Sequence, residues 1–366
     1  MKPLAALAVL LLLSGCAALA PQSPPLPTEP TPGGGPVTPV GTPTVVADNL
    51  AVPWSLVPLE SGSTLISERE TALVEELQAS GEVREVGSVP GVVAEGEGGL
   101  LGLATLIDGD VTWLYAYFTA TSDNRIERFE LLGDAGSYSL GDGEAILTGL
   151  AKASNHNGGR IKFGPDGMLY ATVGDAGEPD RAQDKSSLNG KILRMTPEGK
   201  APKDNPFAGS LVYSMGHRNP QGITWDSDGQ LWAAEFGQDT WDEFNKIEAG
   251  GNYGWPIVEG IGDNPDFVNP LYEWPTDDAS PSDLLFSHDT FFLASLKGES
   301  LWLLYDNPEG VSAVRWFQGE YGRIRDVVDG PDDTLWFVTN NTDGRGEPVE
   351  GDDKLWQVKL DGFHEG

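Results

Sequence analysis

Short apolar runs, each opened by a polar turn, recur along most of the chain, and no long helical periodicity interrupts them. Three turn-plus-strand copies are close to one another: Pro165-Asp166-Gly167-Met168-Leu169-Tyr170, Ser227-Asp228-Gly229-Gln230-Leu231-Trp232 and Pro331-Asp332-Asp333-Thr334-Leu335-Trp336. Looser copies fall at 60–66, 108–118 and 289–296. Each reads as a hairpin turn followed by a Leu-aromatic-apolar strand. From Asp166 to Asp228 is 62 residues and from Asp228 to Asp332 is 104, or twice 52, intervals that suit four-stranded units with inserted loops. The stretch from Val45 onward is longer than most single cores hold, which leaves two domains or one radially repeated fold. The repeat selects an all-β propeller of about six blades built from four antiparallel strands each, covering 45–366. The eleven Trp are expected mostly between blades.

The beginning of the chain breaks this pattern. One Lys, a nearly continuous apolar run from Leu4 to Leu13, and Leu13-Ser14-Gly15-Cys16 read as a secretory signal of residues 1–16 whose end resembles a bacterial lipobox. Cys16 is the only cysteine, so an internal disulfide is excluded and its thiol fits lipid attachment. Residues 17–44 are dense in Pro, Gly, Thr and Ser and read as an extended tether. The expectation is an exported domain, lipid-anchored to the cell envelope and touching membrane only through Cys16.

Charge narrows the partners. A formal net charge of -33 repels nucleic-acid phosphates and is compatible with calcium. Gly96-Glu97-Gly98-Gly99-Leu100-Leu101-Gly102 misses the dinucleotide fingerprint, because Leu101 stands where the last Gly is needed. No nucleophile elbow or EF-hand loop is present, and His156, His217, His288 and His364 lack metal-ligand spacing.

What chemistry remains centres on Ser154-Asn155-His156-Asn157-Gly158-Gly159-Arg160, a histidine among small residues, followed by a turn, a short strand and Asp175 at its end. A base in an open pocket with a carboxylate to orient it has this form; a loop histidine without chemistry is the alternative. Three cationic clusters accompany it. They are Arg218 and Asn219 between glycines just before a strand, Lys297 in a turn after one, and Arg323 and Arg325 two apart on one strand face. Singly these read as surface ion pairs. On a propeller they converge on a cationic floor able to hold a small polycarboxylate beside His156.

Together with Pro53-Trp54, Ser67-Glu68-Arg69, Leu188-Asn189-Gly190-Lys191, Asp204-Asn205-Pro206-Phe207, Glu235-Phe236-Gly237-Gln238 and Gly250-Gly251-Asn252-Tyr253-Gly254-Trp255-Pro256, these motifs make the sequence resemble one family. It is that of the soluble glucose and sorbosone dehydrogenases, including aldose sugar dehydrogenases, six-bladed propellers that use pyrroloquinoline quinone (PQQ) and calcium. The resemblance implies His156 as general base with Asp175 as its partner and Arg218 as a donor to the quinone. It implies that Arg218, Asn219, Lys297, Arg323 and Arg325 grip PQQ, and that the carbonyls of Gly237 and Gln238 hold a calcium ion. Glu243 and the Tyr253 carbonyl match a second, structural calcium. Glu97 and Trp274 are the substrate-side candidates, an aldose the implied substrate, and the electron acceptor is unassigned. Two rivals stand beside this reading: a calcium-dependent propeller lactonase or esterase, which needs clustered acidic ligands, and a non-catalytic binding propeller.

Overall fold

The computed structural model describes residues 35–362. Cys16, the signal and most of the expected tether therefore lie outside the described residues. Twenty-four strands form six four-stranded antiparallel sheets, and the one helical piece among the described residues is a 3-10 turn at Pro179–Ala182. In chain order the strands are β1 (Val37–Ala47), then β2 (Pro53–Pro58), β3 (Thr64–Glu68), β4 (Leu73–Leu77) and β5 (Val83–Ser88) as the first complete blade. The second blade is β6 (Leu100–Asp108), β7 (Val111–Thr119), β8 (Asn124–Leu132) and β9 (Ser139–Leu150), and the third β10 (Ile161–Phe163), β11 (Leu169–Val173), β12 (Lys191–Met195) and β13 (Val212–Met215). The fourth is β14 (Pro220–Trp225), β15 (Leu231–Glu235), β16 (Trp241–Lys246) and β17 (Tyr272–Pro275). The fifth comprises β18 (Pro281–Ser287), β19 (Thr290–Ser295), β20 (Ser300–Asn307) and β21 (Gly310–Trp316), and the last β22 (Ile324–Gly330), β23 (Thr334–Thr339) and β24 (Leu355–Gly362), to which β1 adds the fourth strand.

The first strand of each blade meets its counterparts in the two neighbouring blades, β2 against β6, β6 against β10, and so on until β22 returns to β2. These six strands line the axis of a closed six-bladed propeller. Apolar clusters fill the spaces between blades; Trp232, Phe244 and Phe291, for example, join the fourth and fifth. All six turn copies seen in the sequence fall at one place, the hairpin between the first and second strands of a blade.

Five of the six axial strands carry a register shift near their start, at Pro53/Ser55, Leu100/Leu103, Pro220/Gly222, Pro281/Asp283 and Ile324/Asp326. A bulge leaves one residue out of the ladder and re-aims its side chain. Here the residues so released include Trp54, Gln221 and Arg325, and all three line one cavity at that end of the axis.

One boundary differs from the sequence reading. The strand β1 opens at Val37, inside the 17–44 stretch read as tether and ahead of Val45. It pairs with β24 alone, as the outermost strand of its blade, and much of it is exposed. An edge strand of this kind needs backbone partners rather than an apolar run, so its Pro- and Thr-rich composition disguised it.

Candidate active site

A cavity of about 490 Å³ lies where the axial strands begin, lined by residues from around the whole ring, among them Trp54, Arg69, Glu97, His156, Arg218 and Arg325. Asn155, Asn219, Gln221, Lys297, Arg323 and Arg345 complete its polar lining. Of the residues singled out in the sequence, His156, Arg218, Asn219, Lys297, Arg323, Arg325 and Glu97 meet here.

His156 sits in the left-handed region at φ 55°, a conformation that needs external support in a non-glycine residue. Its N–H donates to Glu97 Oε2 at 3.0 Å, and its carbonyl accepts from the Ala176 N–H at 3.1 Å. Gly174 makes this turn feasible, since a Cβ there would stand 2.1 Å from the His156 carbonyl oxygen. The ring Nδ1 lies 2.7 Å from Asp175 Oδ1. Asp175 is fully buried, and the Gly177 N–H and Trp255 Nε1 also donate to its carboxylate, at 2.8 and 2.9 Å. Burial alone would push this carboxyl up, but its pairing with the His156 ring and the hydrogen bonds from Gly177 and Trp255 hold it below the usual carboxylate range. A carboxylate that only accepts makes Nδ1 the donor, so the acceptor lone pair of the ring falls on Nε2.

The cations around this pair have donors to spare. The Nε atoms of Arg69, Arg218, Arg323 and Arg325 are buried and have no hydrogen-bond partner among the described residues. Arg325 bonds through Nη1 to Gln221 Oε1 at 2.9 Å and through Nη2 to Asn340 Oδ1 at 3.4 Å, both neutral. Burial, with Arg69 and Arg323 nearby, pushes its guanidinium down to about 9. Arg323 has one carboxylate, Asp343 Oδ2 at 3.1 Å, and Arg69 has Glu70 Oε1 at 2.5 Å. Lys297 is half exposed and paired with Asp277. Burial likewise lowers Arg218, whose Nη1 donates to the Gly237 carbonyl at 2.5 Å.

Behind Arg218 the backbone is arranged to present carbonyls. Glu259 Oε1 accepts from the N–H groups of Gln238, Asp239, Thr240 and Trp241 at 2.7 to 3.1 Å, and Asp242 Oδ1 from Gly237 at 2.8 Å. With every N–H of the turn drawn to one side, the carbonyls of Gly237 and Gln238 are left to other partners. One strand further out, Glu243 opposes Glu235 in register and accepts from the Gly260 N–H at 2.7 Å and Asn245 Nδ2 at 3.0 Å. Burial and the Glu235 charge push Glu243 up to about 8, and Asn245 Oδ1 beside it is buried without a partner. Tyr253 lies on the same side, its ring 4.8 Å from that of His217, which Glu235 Oε2 holds through Nδ1 at 2.7 Å.

Trp274 is a correction. It is 2 % exposed, lies opposite Asp242 on β17, and packs on Tyr272 and Trp302 in the core between two blades, away from the cavity. A Trp in a loop-flanked run resembles a sugar platform in sequence, but here blade packing claims it. The sequence reading assigned no separate role to Asn155, Arg69, Glu259 or Arg345. Arg345 and Glu259 reach the site through contacts that no local motif announces.

Fold and site define a six-bladed propeller in which His156, backed by the buried Asp175, faces a cationic cavity, which is the layout of a catalytic centre built for an anionic cofactor rather than of a lactonase funnel with clustered acidic ligands. Residues 50–347 match the Glucose / Sorbosone dehydrogenase family, and the chain belongs to it. It is 30% identical over 341 residues to aldose sugar dehydrogenase YliI of Escherichia coli, a match covering 82% of this chain and 90% of that one. It is 33% identical over 265 residues to quinoprotein glucose dehydrogenase B of Acinetobacter calcoaceticus, where the match spans 62% of this chain and 55% of the relative's length. Among solved structures, the PQQ-bound form of aldose sugar dehydrogenase from Streptomyces coelicolor superposes with a TM-score of 0.84 at 45% identity, covering 89% of this chain and 98% of that one.

Proposed function

We propose that the protein is a PQQ- and calcium-dependent dehydrogenase that oxidises the anomeric hydroxyl of aldose sugars to lactones. The observation that carries this reading is the convergence of four unpartnered guanidinium Nε atoms on one cavity beside the His156–Asp175 pair. A buried cationic cluster of this kind is costly unless an anion lies against it. The solved PQQ-bound relative supports a polycarboxylate quinone as that anion.

The residues present fit the cofactors. Arg218, Asn219, Lys297, Arg323 and Arg325 would hold PQQ, with Arg69 a further donor. The carbonyls of Gly237, which Arg218 Nη1 engages, and Gln238 are turned away from the Glu259 nest and are hard oxygen ligands of the type calcium takes. Glu243, with Asn245 Oδ1 and the Tyr253 carbonyl, is the candidate for a second ion, which would relieve both the raised carboxyl and the orphaned amide oxygen. When bound, PQQ supplies the hydride acceptor and calcium the Lewis acid that polarises it.

The chain's own part is proton handling and orientation. His156 Nε2 accepts the proton of the anomeric hydroxyl while Asp175 holds the ring and balances the imidazolium that forms. The C1 hydride leaves with the electron pair of its C–H bond, and the C1–O1 bond becomes the lactone carbonyl. Trp54 and Phe236 contribute apolar wall. Purified protein with PQQ and calcium should reduce a redox dye when given aldoses. His156→Ala should retain PQQ binding, read by thermal shift, yet lose about 100- to 10,000-fold in turnover. Dye reduction that needs no PQQ, or a His156 variant with full turnover, would overturn the reading.

We further propose that the domain is exported and tethered to the cell envelope through Cys16, as the lipobox-like signal suggests. Cys16→Ser should move the protein from the membrane to the soluble fraction, and unchanged partitioning would count against an anchor.

A further inference from the structure

The connection between β23 and β24 reaches over the cavity and is clamped to its floor. Asp343, whose side chain is fully buried, accepts from Arg323 Nη2 through Oδ2 at 3.1 Å and from the Arg345 N–H through Oδ1 at 2.9 Å. Gly346 lies so close beneath it that a Cβ would stand 2.7 Å from the Asn341 carbonyl oxygen and 3.0 Å from Arg323 Cδ. The backbone at Arg345 is thereby fixed, while 52% of its side chain stays open to solvent. That side chain crosses the mouth to the loop before β6, where Nη1 donates to Glu97 Oε1 at 3.0 Å. The other oxygen of Glu97 accepts the His156 N–H. One carboxylate thus joins the backbone of the base to a guanidinium from a different blade.

Arg345 differs from the floor cations in being reachable. A half-exposed ion pair contributes only about 0 to 1 kcal/mol, so a ligand group can take either member at little cost. Glu97 is suited to accept sugar hydroxyls and Arg345 to donate to them. Together they are neutral; Glu97 alone would repel a sugar carboxylate, and Arg345 alone would attract it.

We propose that Arg345 is a specificity-determining residue: paired with Glu97 at the cavity mouth, it sets the enzyme's preference between neutral aldoses and aldoses that carry a carboxylate. The proposal rests on the dehydrogenase reading for its reaction, but not for its binding test.

The holoenzyme is to be compared with glucose and glucuronate at low ionic strength. Glu97→Gln keeps an acceptor for the His156 N–H while removing the charge that occupies Arg345. It should lower the KM for glucuronate relative to glucose by about tenfold, the equivalent of one charge-assisted contact. Adding Arg345→Ala should abolish that gain, and Arg345→Lys should keep part of it. Glucuronate binding to cofactor-free protein, measured by titration calorimetry, should follow the same order. A Glu97→Gln variant with an unchanged KM ratio and unchanged glucuronate binding would overturn the proposal, as would a double variant that keeps the gain. If the holoenzyme oxidises no aldose at all, the dehydrogenase reading fails, while the calorimetric series still judges Arg345.

Discussion

Two buried arginines, Arg160 and Arg325, lie over the same indole: their guanidinium carbons stand 4.3 and 5.6 Å from the Trp54 ring centroid. Deeper in the channel, Arg160 has Asp283 Oδ1 at 3.0 Å and Asp326 Oδ2 at 3.3 Å, plus the Ser282 carbonyl and Ser55 Oγ. Arg325, at the cavity, has only the amide oxygens of Gln221 and Asn340. The protein supplies one of these cations with carboxylates and the other with neutral amides alone. Burial alone therefore says little about the purpose of a charge. Whether the counter-charge is internal separates an arginine that holds the ring together from one that awaits a ligand.

The paired end should break most severely. Burial pushes both carboxyls up, but Arg160 and Lys162 pull Asp283 below the usual range while Asp326, facing Asp283, stays well above it. Asp283 therefore favours its charged form, while burial and the Asp283 charge oppose ionisation of Asp326. Asp283→Ala leaves Arg160 without its main partner and should cost about 3–5 kcal/mol in a urea titration. Asp326→Asn removes a carboxyl whose charge burial disfavours and should cost far less. The sign with pH follows: a carboxyl raised in the folded state weakens the fold as pH climbs from the ordinary carboxylate range toward its folded value. The Asp326→Asn variant should lose that slope, and equal costs for the two substitutions would refute the contrast between the two carboxyls.

At the open end the order reverses. Arg325→Met removes a cation that burial and its Arg neighbours disfavour, so the cofactor-free protein should be unchanged or stabilised by about 1 kcal/mol or more. Its melting temperature should no longer rise on adding PQQ, because stabilisation by a ligand follows its affinity for the folded state. A strong loss of stability without PQQ would mean that Arg325 is scaffold, like Arg160. The smallest effect belongs to Lys297→Ala. Its exposed pair with Asp277 contributes about 0 to 1 kcal/mol, yet the variant should need more PQQ to reach half-maximal activity, which titration of the cofactor would show.

The propeller was legible because its signal repeats: every turn copy found in the sequence opens the second strand of a blade. His156 and Asp175 were legible because one short hairpin, β10 and β11, lies between them in sequence and returns the chain so that they meet at 2.7 Å. Trp274 misled because an aromatic has the same appearance in a blade core and at a sugar site. Arg345 could not be read at all, since its meaning depends on Glu97, 248 residues away. The boundary at Val37 was lost because β1 pairs with β24 alone and buries few apolar side chains, Val37 and Ala47 at its two ends, too sparse a pattern to mark a strand.

That pairing also governs how the ring is made. During synthesis β1 is the first described strand to emerge, and the partner that completes its ladder is the last. In between, its edge is open to any other chain in the same state, and the β24 of a second copy offers an identical ladder. Ring closure in cis therefore competes with strand exchange between nascent copies, a contest that dilution favours and crowding opposes. Pro39 and Pro43 within β1 and the register break between Val40 and Thr44 blunt that edge while it waits.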